Sequence, residues 1–272
     1  MKGILKDKKE VASGTLQVTF ATEEPFSFKP GQYCFITLKN LKFPDERGPK
    51  RHFSIVNSPN EKGIITFTTR ESDSGFKKTL KELPIGTELD LGPIAGTFTL
   101  PDDTTRPLVL IAGGIGITPF MSILRYEKEQ LLHHKLTLLY SNRDQSSTAF
   151  LDEIQNLAKD LPNLKLILTM TEDNSWTGEK RKIDAAFIKD YFPNLNENFY
   201  MVVGPPPMVE AVEKSLLEAG VRPENIKIEL TLRKIILNQI LDCAIHDAMS
   251  MQSNIKSLLI NDRVAKDLDC II

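Results

Sequence analysis

The chain has 272 residues, 41% of them hydrophobic, and its 34 Lys+Arg against 36 Asp+Glu leave a net charge of −2. At ~150 residues per domain that is room for about two globular domains, and the balanced charge excludes a nucleic-acid binder that depends on many phosphate contacts. Three dispersed cysteines, Cys34, Cys243 and Cys270, exclude a disulfide framework, a metal-ligand pair and a thiolate-held iron–sulfur cluster.

The opening MKGILKDKKE has no apolar core of signal-peptide length, and no apolar run approaches the ~18 residues of a membrane span. The expectation is a cytoplasmic protein without a membrane span. Up to about residue 100 the pattern is β-rich, with strands expected over 15–20, 33–38, 52–56, 64–69 and 87–91. Turn chemistry such as Lys29-Pro30-Gly31 and Ser58-Pro59-Asn60 separates them. Many short strands at this spacing predict an antiparallel barrel or sandwich, and only 76–83 reads as a helix. The lysines at 6–9 read as a solvated strand end.

A polar, Pro-bounded linker over 101–107 then changes the rhythm. Strands over 108–112, 136–140, 164–170, 199–203 and 226–230 alternate with helices over 119–130, 148–159, 185–191 and 208–219. That alternation predicts βαβ crossovers and a parallel sheet with helices on both faces. From about Arg233, apolar residues at three- and four-residue intervals predict an amphipathic helix, with a weaker one over 257–270.

Ile111-Ala112-Gly113-Gly114-Ile115-Gly116-Ile117-Thr118-Pro119 follows a buried strand and opens a helix. Glycines there let a phosphate approach the backbone, and a helix start presents unpaired N–H groups to an anion. Glycine serves plain steric needs at many such corners, but a place in the first βα unit favours nucleotide binding. The corner Val203-Gly204-Pro205-Pro206-Pro207-Met208 is either a rigid turn or a wall at the ligand-binding edge of the sheet. In Arg51-His52-Phe53-Ser54, period two puts Arg51 with Phe53 on one face and His52 with Ser54 on the other. Ser74-Gly75-Phe76-Lys77-Lys78-Thr79 is either a diphosphate cradle or a solvated helix end. His133-His134 reads as a solvated turn, His52 and His246 as isolated, and Trp176 as loop packing. No nucleophile elbow is present.

Taken in order, Phe28-x-Pro30-Gly31-Gln32-Tyr33, Arg51-x-Phe53-Ser54, Gly92-Pro93-x-x-Gly96-x-Phe98, Gly113-Gly114-x-Gly116-x-Thr118-Pro119 and Gly204-Pro205-Pro206-x-Met208 resemble the ferredoxin–NADP reductase superfamily over residues 1–231. The resemblance implies a two-domain β plus α/β fold. An antiparallel flavin-binding β-barrel (1–102) is followed by a parallel five-stranded α/β nucleotide domain (103–232) and a helical C-terminal extension (233–272). It implies an NAD(P)H-dependent oxidoreductase that passes electrons through FAD to a separate acceptor, such as ferredoxin, flavodoxin or an oxygenase component. A flavin reductase that releases free reduced flavin, and an electron-transfer subunit active only inside a complex, are the alternatives.

By the same resemblance Arg51 pairs with the FAD diphosphate, Phe53 packs on the isoalloxazine, and His52 belongs to the same binding strand. Gly75, Phe76, Lys77, Lys78 and Thr79 meet the FAD diphosphate. Gly113, Gly114, Gly116, Thr118 and Pro119 take that of NAD(P)H, while Gly204, Pro205, Pro206 and Met208 border the nicotinamide. Ser54 and Glu229 are the implied catalytic residues. Three departures stand out: Val203 replaces a common cysteine, Thr231 stands where many relatives carry a terminal aromatic ring, and the chain continues. The extension is expected to replace that ring as a lid, to form a homodimer helix beside the flavin, or to pack elsewhere as an appended helix. The acids of Met170-Thr171-Glu172-Asp173 favour NADH over NADPH, against Arg143, Lys180, Arg181 and Lys182 nearby.

Overall fold

The computed structural model describes residues 1–23 and 26–229, so the expected extension lies outside the described residues. Strands β1 (Lys2–Ala12), β2 (Thr15–Thr22), β3 (Tyr33–Thr37), β4 (Lys50–Ser54), β5 (Ile64–Arg70) and β6 (Glu88–Ala95) form an antiparallel sheet in the order β4-β3-β6-β1-β2-β5. Its edge strands β4 and β5 meet through Phe53 and Phe67, whose ring centroids are 6.0 Å apart, so the sheet curls around one core. Helix α1 (Gly75–Glu82) closes one end with Phe76 and Leu80 in that core.

Strand β1 is absent from the sequence expectation because Lys6, Asp7, Lys8, Lys9 and Glu10 interrupt any apolar alternation. The structure leaves these charges at the surface while Gly3 and Leu5 face inward. The lysines are strand interior rather than strand end, and Lys8 Nζ donates to the carbonyls of Lys81 and Leu83 at the C-terminal end of α1. Cations there complement the exposed carbonyls of a helix C-terminus.

The second sheet is parallel throughout, in the order β11-β10-β7-β8-β9. It comprises β7 (Leu108–Gly113), β8 (Leu136–Asn142), β9 (Leu164–Met170), β10 (Phe199–Val203) and β11 (Ile226–Ile228). Alternate residues of β7 serve its two faces. Leu108, Leu110 and Ala112 pack on α2 (Thr118–Gln130) and α3 (Leu151–Asp160), while Val109 and Ile111 pack with α4 (Ala185–Tyr191) and α5 (Pro206–Ala219). Helix α3 begins three residues later than periodicity suggests, because Thr148 Oγ1 and Ser147 N–H both turn back onto Asp144. Helix α5 begins two residues earlier, since its first positions accept proline.

The two sheets are riveted together. Ser122 Oγ donates to the Asn57 carbonyl at 2.8 Å, Arg125 Nη1 to the Val56 carbonyl at 2.8 Å, and Phe98 packs on Phe120. His134, expected in a solvated turn, is instead buried. Its Nδ1 lies 2.9 Å from the Glu127 carboxylate and its Nε2 3.0 Å from the carbonyl of Pro101 in the linker, a fully partnered polar cluster.

Candidate functional site

A cleft of about 710 Å³ runs between the two sheets. The half built on the antiparallel sheet contributes Tyr33, His52, Phe53, Ser54, Thr68 and, from α1, Lys77, and the half built on the parallel sheet contributes Ile115, Gly116, Thr118, Val203–Pro205 and Glu229. Register explains the first set. Ser54 pairs with Tyr33 and His52 with Phe35, and the His52 and Tyr33 rings lie 5.0 Å apart. Phe53 turns to the other side against Phe67 and Phe76, so it borders the cleft while anchoring in the core. Thr68 is buried on the cleft wall, and its hydroxyl has no hydrogen-bond partner.

Charges inside the cleft are perturbed. Burial pushes the Glu229 carboxyl up to about 7, while its backbone N–H donates to the Val202 carbonyl and fixes the chain beside β10. Burial, with a smaller contribution from Glu229, raises the Tyr33 hydroxyl. Burial, then the positive charges of Arg47 and Arg51, lowers both His52 and Lys77.

At the outer end of the cleft, a cavity of about 510 Å³ is lined by Asp45, Arg47, Arg51, His52, Ser74, Gly75 and Lys77. Arg51 is buried, ion-paired with Asp45, and donates Nη1 to the carbonyls of Arg47, Gly48 and Lys50. The Asp45 carboxylate also accepts from Ser74 Oγ at 2.7 Å, the Phe76 N–H at 2.9 Å and the Arg47 N–H at 3.0 Å. Burial alone would raise this acid, but those hydrogen bonds and the Arg51 charge outweigh it and hold it well below the usual carboxylate range. Sequence reasoning passed over Asp45, whose only signal is its place six residues before Arg51.

A further cavity of about 570 Å³ lies on the carboxyl edge of the parallel sheet, bordered by Gly113–Ile115, Ser141–Arg143, Thr171, Lys182, Pro205 and Met208. The glycines here act mainly between protein segments. A Cβ on Gly113 would come within 2.1 Å of Met208 Sδ, and one on Gly116 within 2.6 Å of the Val203 carbonyl. The two corners therefore interlock. Gly114 differs: its φ of +51° is in the left-handed region and the space above it is open.

Not every expected residue borders a cavity. Phe76 is core, the Thr79 hydroxyl accepts from the N–H groups of Lys42 and Phe43, and Pro119 is buried within α2. Lys78 is exposed and paired with Asp73 beside a neighbouring groove, and Pro206 is exposed at the start of α5, outside the described cavities. Trp176 is loop packing, its Nε1 donating to the Glu179 carbonyl. Among the described residues no His, Cys, Asp or Glu cluster could hold a metal, and no helix is long and apolar enough to cross a membrane.

Residues 110–214 match the family model of the oxidoreductase NAD-binding domain. Reductase component 1 of terephthalate 1,2-dioxygenase from Comamonas sp. is 26% identical over 206 residues, covering 75% of this chain and 59% of that protein. The gamma subunit of sulfhydrogenase 1 from Pyrococcus furiosus is 29% identical over 215 residues, covering 77% of this chain and 70% of that protein. The chain thus spans 59% of the length of the first relative. Among solved structures, the ferredoxin reductase of carbazole 1,9a-dioxygenase superposes with a TM-score of 0.69 at 26% identity, over 84% of this chain and 68% of that one. A ferredoxin NADP+ reductase from Neisseria gonorrhoeae with bound FAD and NADP shares the fold, with a TM-score of 0.70 at 19% identity over 84% and 97%.

Proposed function

We propose that this chain, which belongs to the ferredoxin–NADP reductase superfamily, is an NAD(P)H-dependent FAD reductase passing electrons to a separate acceptor protein. The acceptor class is that of a ferredoxin, flavodoxin or oxygenase component, and the place of work is the cytoplasm. The observation that carries this reading is the shared cleft. Tyr33, His52 and Ser54 of one sheet face Gly116, Val203–Pro205 and Glu229 of the other across one cavity, which continues past Gly113–Ile115 over the parallel sheet.

The residues fit a flavin. The cleft has an aromatic wall, a buried Thr68 hydroxyl without a partner, and a volume within the ~300–1,000 Å³ of ligand clefts. Bound there, FAD would accept a hydride from the reduced nicotinamide and release electrons one at a time. The chain's own work is positioning. Tyr33, His52 and Phe53 supply flat walls, Ser54 and Thr68 supply hydroxyls, Lys77 supplies positive charge, and Arg51, tied to Asp45, shapes the end of the cavity beside Gly75. Gly113, Gly114, Gly116 and Thr118 would carry the nucleotide diphosphate, with Gly204, Pro205 and Met208 shaping the nicotinamide wall. Glu229, held near neutrality, would exchange a proton at its carboxyl within the cleft.

The likeness to the sulfhydrogenase gamma subunit, of which the chain covers 70%, favours one second reading: a subunit working only inside a larger complex. Gel filtration of the purified chain, followed by a flavin spectrum of the eluted peak, tests the main proposal. FAD co-eluting with the protein and reduced by NADH supports it. Protein eluting without flavin after saturation with FAD overturns it, and bound flavin inert to NADH and NADPH supports the subunit reading.

A further inference from the structure

Among the described residues, sulfur is nearly everywhere out of reach of solvent. Met121, Met170, Met201 and Cys34 are all fully buried. Burial also pushes the Cys34 thiol up to about 11, which withdraws the reactive thiolate. Apart from Met1, the exception is Met208 at the start of α5, half-buried and bordering the cavity over the parallel sheet. Val203, just before the Gly204 corner, brings no thiol to this place, so the Met208 thioether is the oxidisable sulfur of the corner.

That sulfur is tightly held on one side. A Cβ on Gly113 would come within 2.1 Å of Met208 Sδ and one on Gly204 within 2.8 Å, so both glycines make room for the thioether. The two corners also approach each other, since a Cβ on Gly204 would lie 3.2 Å from the Gly113 Cα. The thioether therefore fills the seam between the end of β7 and the corner after β10. At interior packing density an atom added to the sulfur finds no space toward either glycine, and the open direction is the cavity.

We infer that Met208 is a modification site: hydrogen peroxide converts it to methionine sulfoxide, and the added oxygen obstructs the nucleotide cavity. The obstruction rests on the reading of this cavity as the NAD(P)H site, whereas the modification itself does not. In the reaction a sulfur lone pair attacks one peroxide oxygen. The S–O bond forms as the O–O bond breaks, and the displaced hydroxide takes the proton of the transferred oxygen, leaving sulfoxide and water. Sulfur is thereby oxidised and peroxide reduced, each by an electron pair. The product is a polar, chiral side chain in place of a flexible apolar one. Its oxygen carries the negative end of the S–O dipole into the wall shared with Gly113–Ile115, opposing a diphosphate both in shape and in charge. A reduced flavin that meets dioxygen instead of its acceptor is a source of peroxide beside this wall. The modification would then couple an idle acceptor to a closed nucleotide site.

Graded peroxide treatment of the FAD-loaded protein, followed by peptide mass mapping and calorimetry with ADP, tests the assignment. Met208 should gain an oxygen before Met121, Met170 and Met201 do. ADP should then bind about tenfold more weakly, the scale of one overpacked contact, and the loss should track the fraction of Met208 oxidised. Met208→Leu should show the same ADP affinity before and after peroxide, whatever its starting value, which separates Met208 from sulfur elsewhere in the chain. If the leucine variant does not fold, the tracking in the wild type decides. Met208 oxidised no sooner than the buried methionines, unchanged ADP affinity once Met208 is fully oxidised, or an equal loss in the leucine variant overturns the assignment. A wild type that binds no ADP before treatment counts against the nucleotide reading, while the peptide map still decides the modification.

Discussion

Beside the start of α1 the Arg51 guanidinium is closed by Asp45 and three main-chain carbonyls, whereas at the carboxyl edge of the parallel sheet Gly114, at a φ of +51°, has open space above its backbone. Both lie beside cavities that sequence reasoning assigns to phosphate-bearing cofactors, yet only one is closed by the chain's own side chains. The satisfied end is built before any ligand arrives: the buried acid fixes Arg51, caps α1 and sets the shape of the cavity. The open end leaves room over the glycine turn for a group from outside. The difference suggests that the barrel would hold its cofactor through preorganised shape, while the parallel sheet would offer its nucleotide open backbone at the glycine turn.

The comparison breaks most visibly at Asp45. Asp45→Ala leaves a buried guanidinium without its counter-charge and should cost about 3 kcal/mol, read as the shift of a denaturant midpoint at pH 7. The sign with pH follows from the lowered carboxyl: its contribution is present above ~4, the value in the unfolded chain, and is lost as pH falls toward the folded value. Wild-type stability should therefore fall below pH ~4 more steeply than that of Asp45→Ala. On the parallel sheet, Gly116→Ala forces a Cβ to 2.6 Å from the Val203 carbonyl and should cost about 2 kcal/mol, the scale of overpacking, seen in thermal unfolding.

The order of strands and helices in the second half was legible because each buried run of a parallel sheet is apolar and each helix amphipathic. Bounds for the runs at 164–170, 185–191 and 199–203 coincide with Leu164–Met170, Ala185–Tyr191 and Phe199–Val203. Strand β1 was not legible, since its charges hide a period-two pattern that only the sheet restores. His134 was hidden for a related reason. Two adjacent histidines look polar until Glu127, seven residues back along the chain, and Pro101 close around one of them. The cleft-facing residues of β4 could be named from the motif, but the acid that occupies Arg51 lies in a loop with no periodicity. The glycine loop was found for one reason and is constrained by another, the interlock with Val203 and Met208.

Smaller effects sharpen the picture. Glu229 titrates near 7 against ~4.3 in the unfolded chain, so its neutral form favours the fold. That contribution is complete below ~4.3 and declines as pH rises through 7. Glu229→Gln should flatten this slope and raise stability at pH 8 by on the order of 1 kcal/mol after solvent screening, measured as unfolding free energy against pH. Smaller still, Glu129→Ala removes the contacts with Ser58 and Asn60 that help join the two sheets. At this partly exposed site about 0.5 kcal/mol is expected in the same unfolding assay.

The central claim is that two cofactors meet in the cleft between the sheets. Anaerobic rapid mixing of the FAD-loaded protein with one equivalent of NADH tests it most directly, monitored at the flavin absorbance band. The account predicts a saturable loss of that absorbance, slowed when ADP is added as a competitor. A bound flavin that keeps its absorbance with both NADH and NADPH, or bleaches at a rate ADP does not touch, would contradict it.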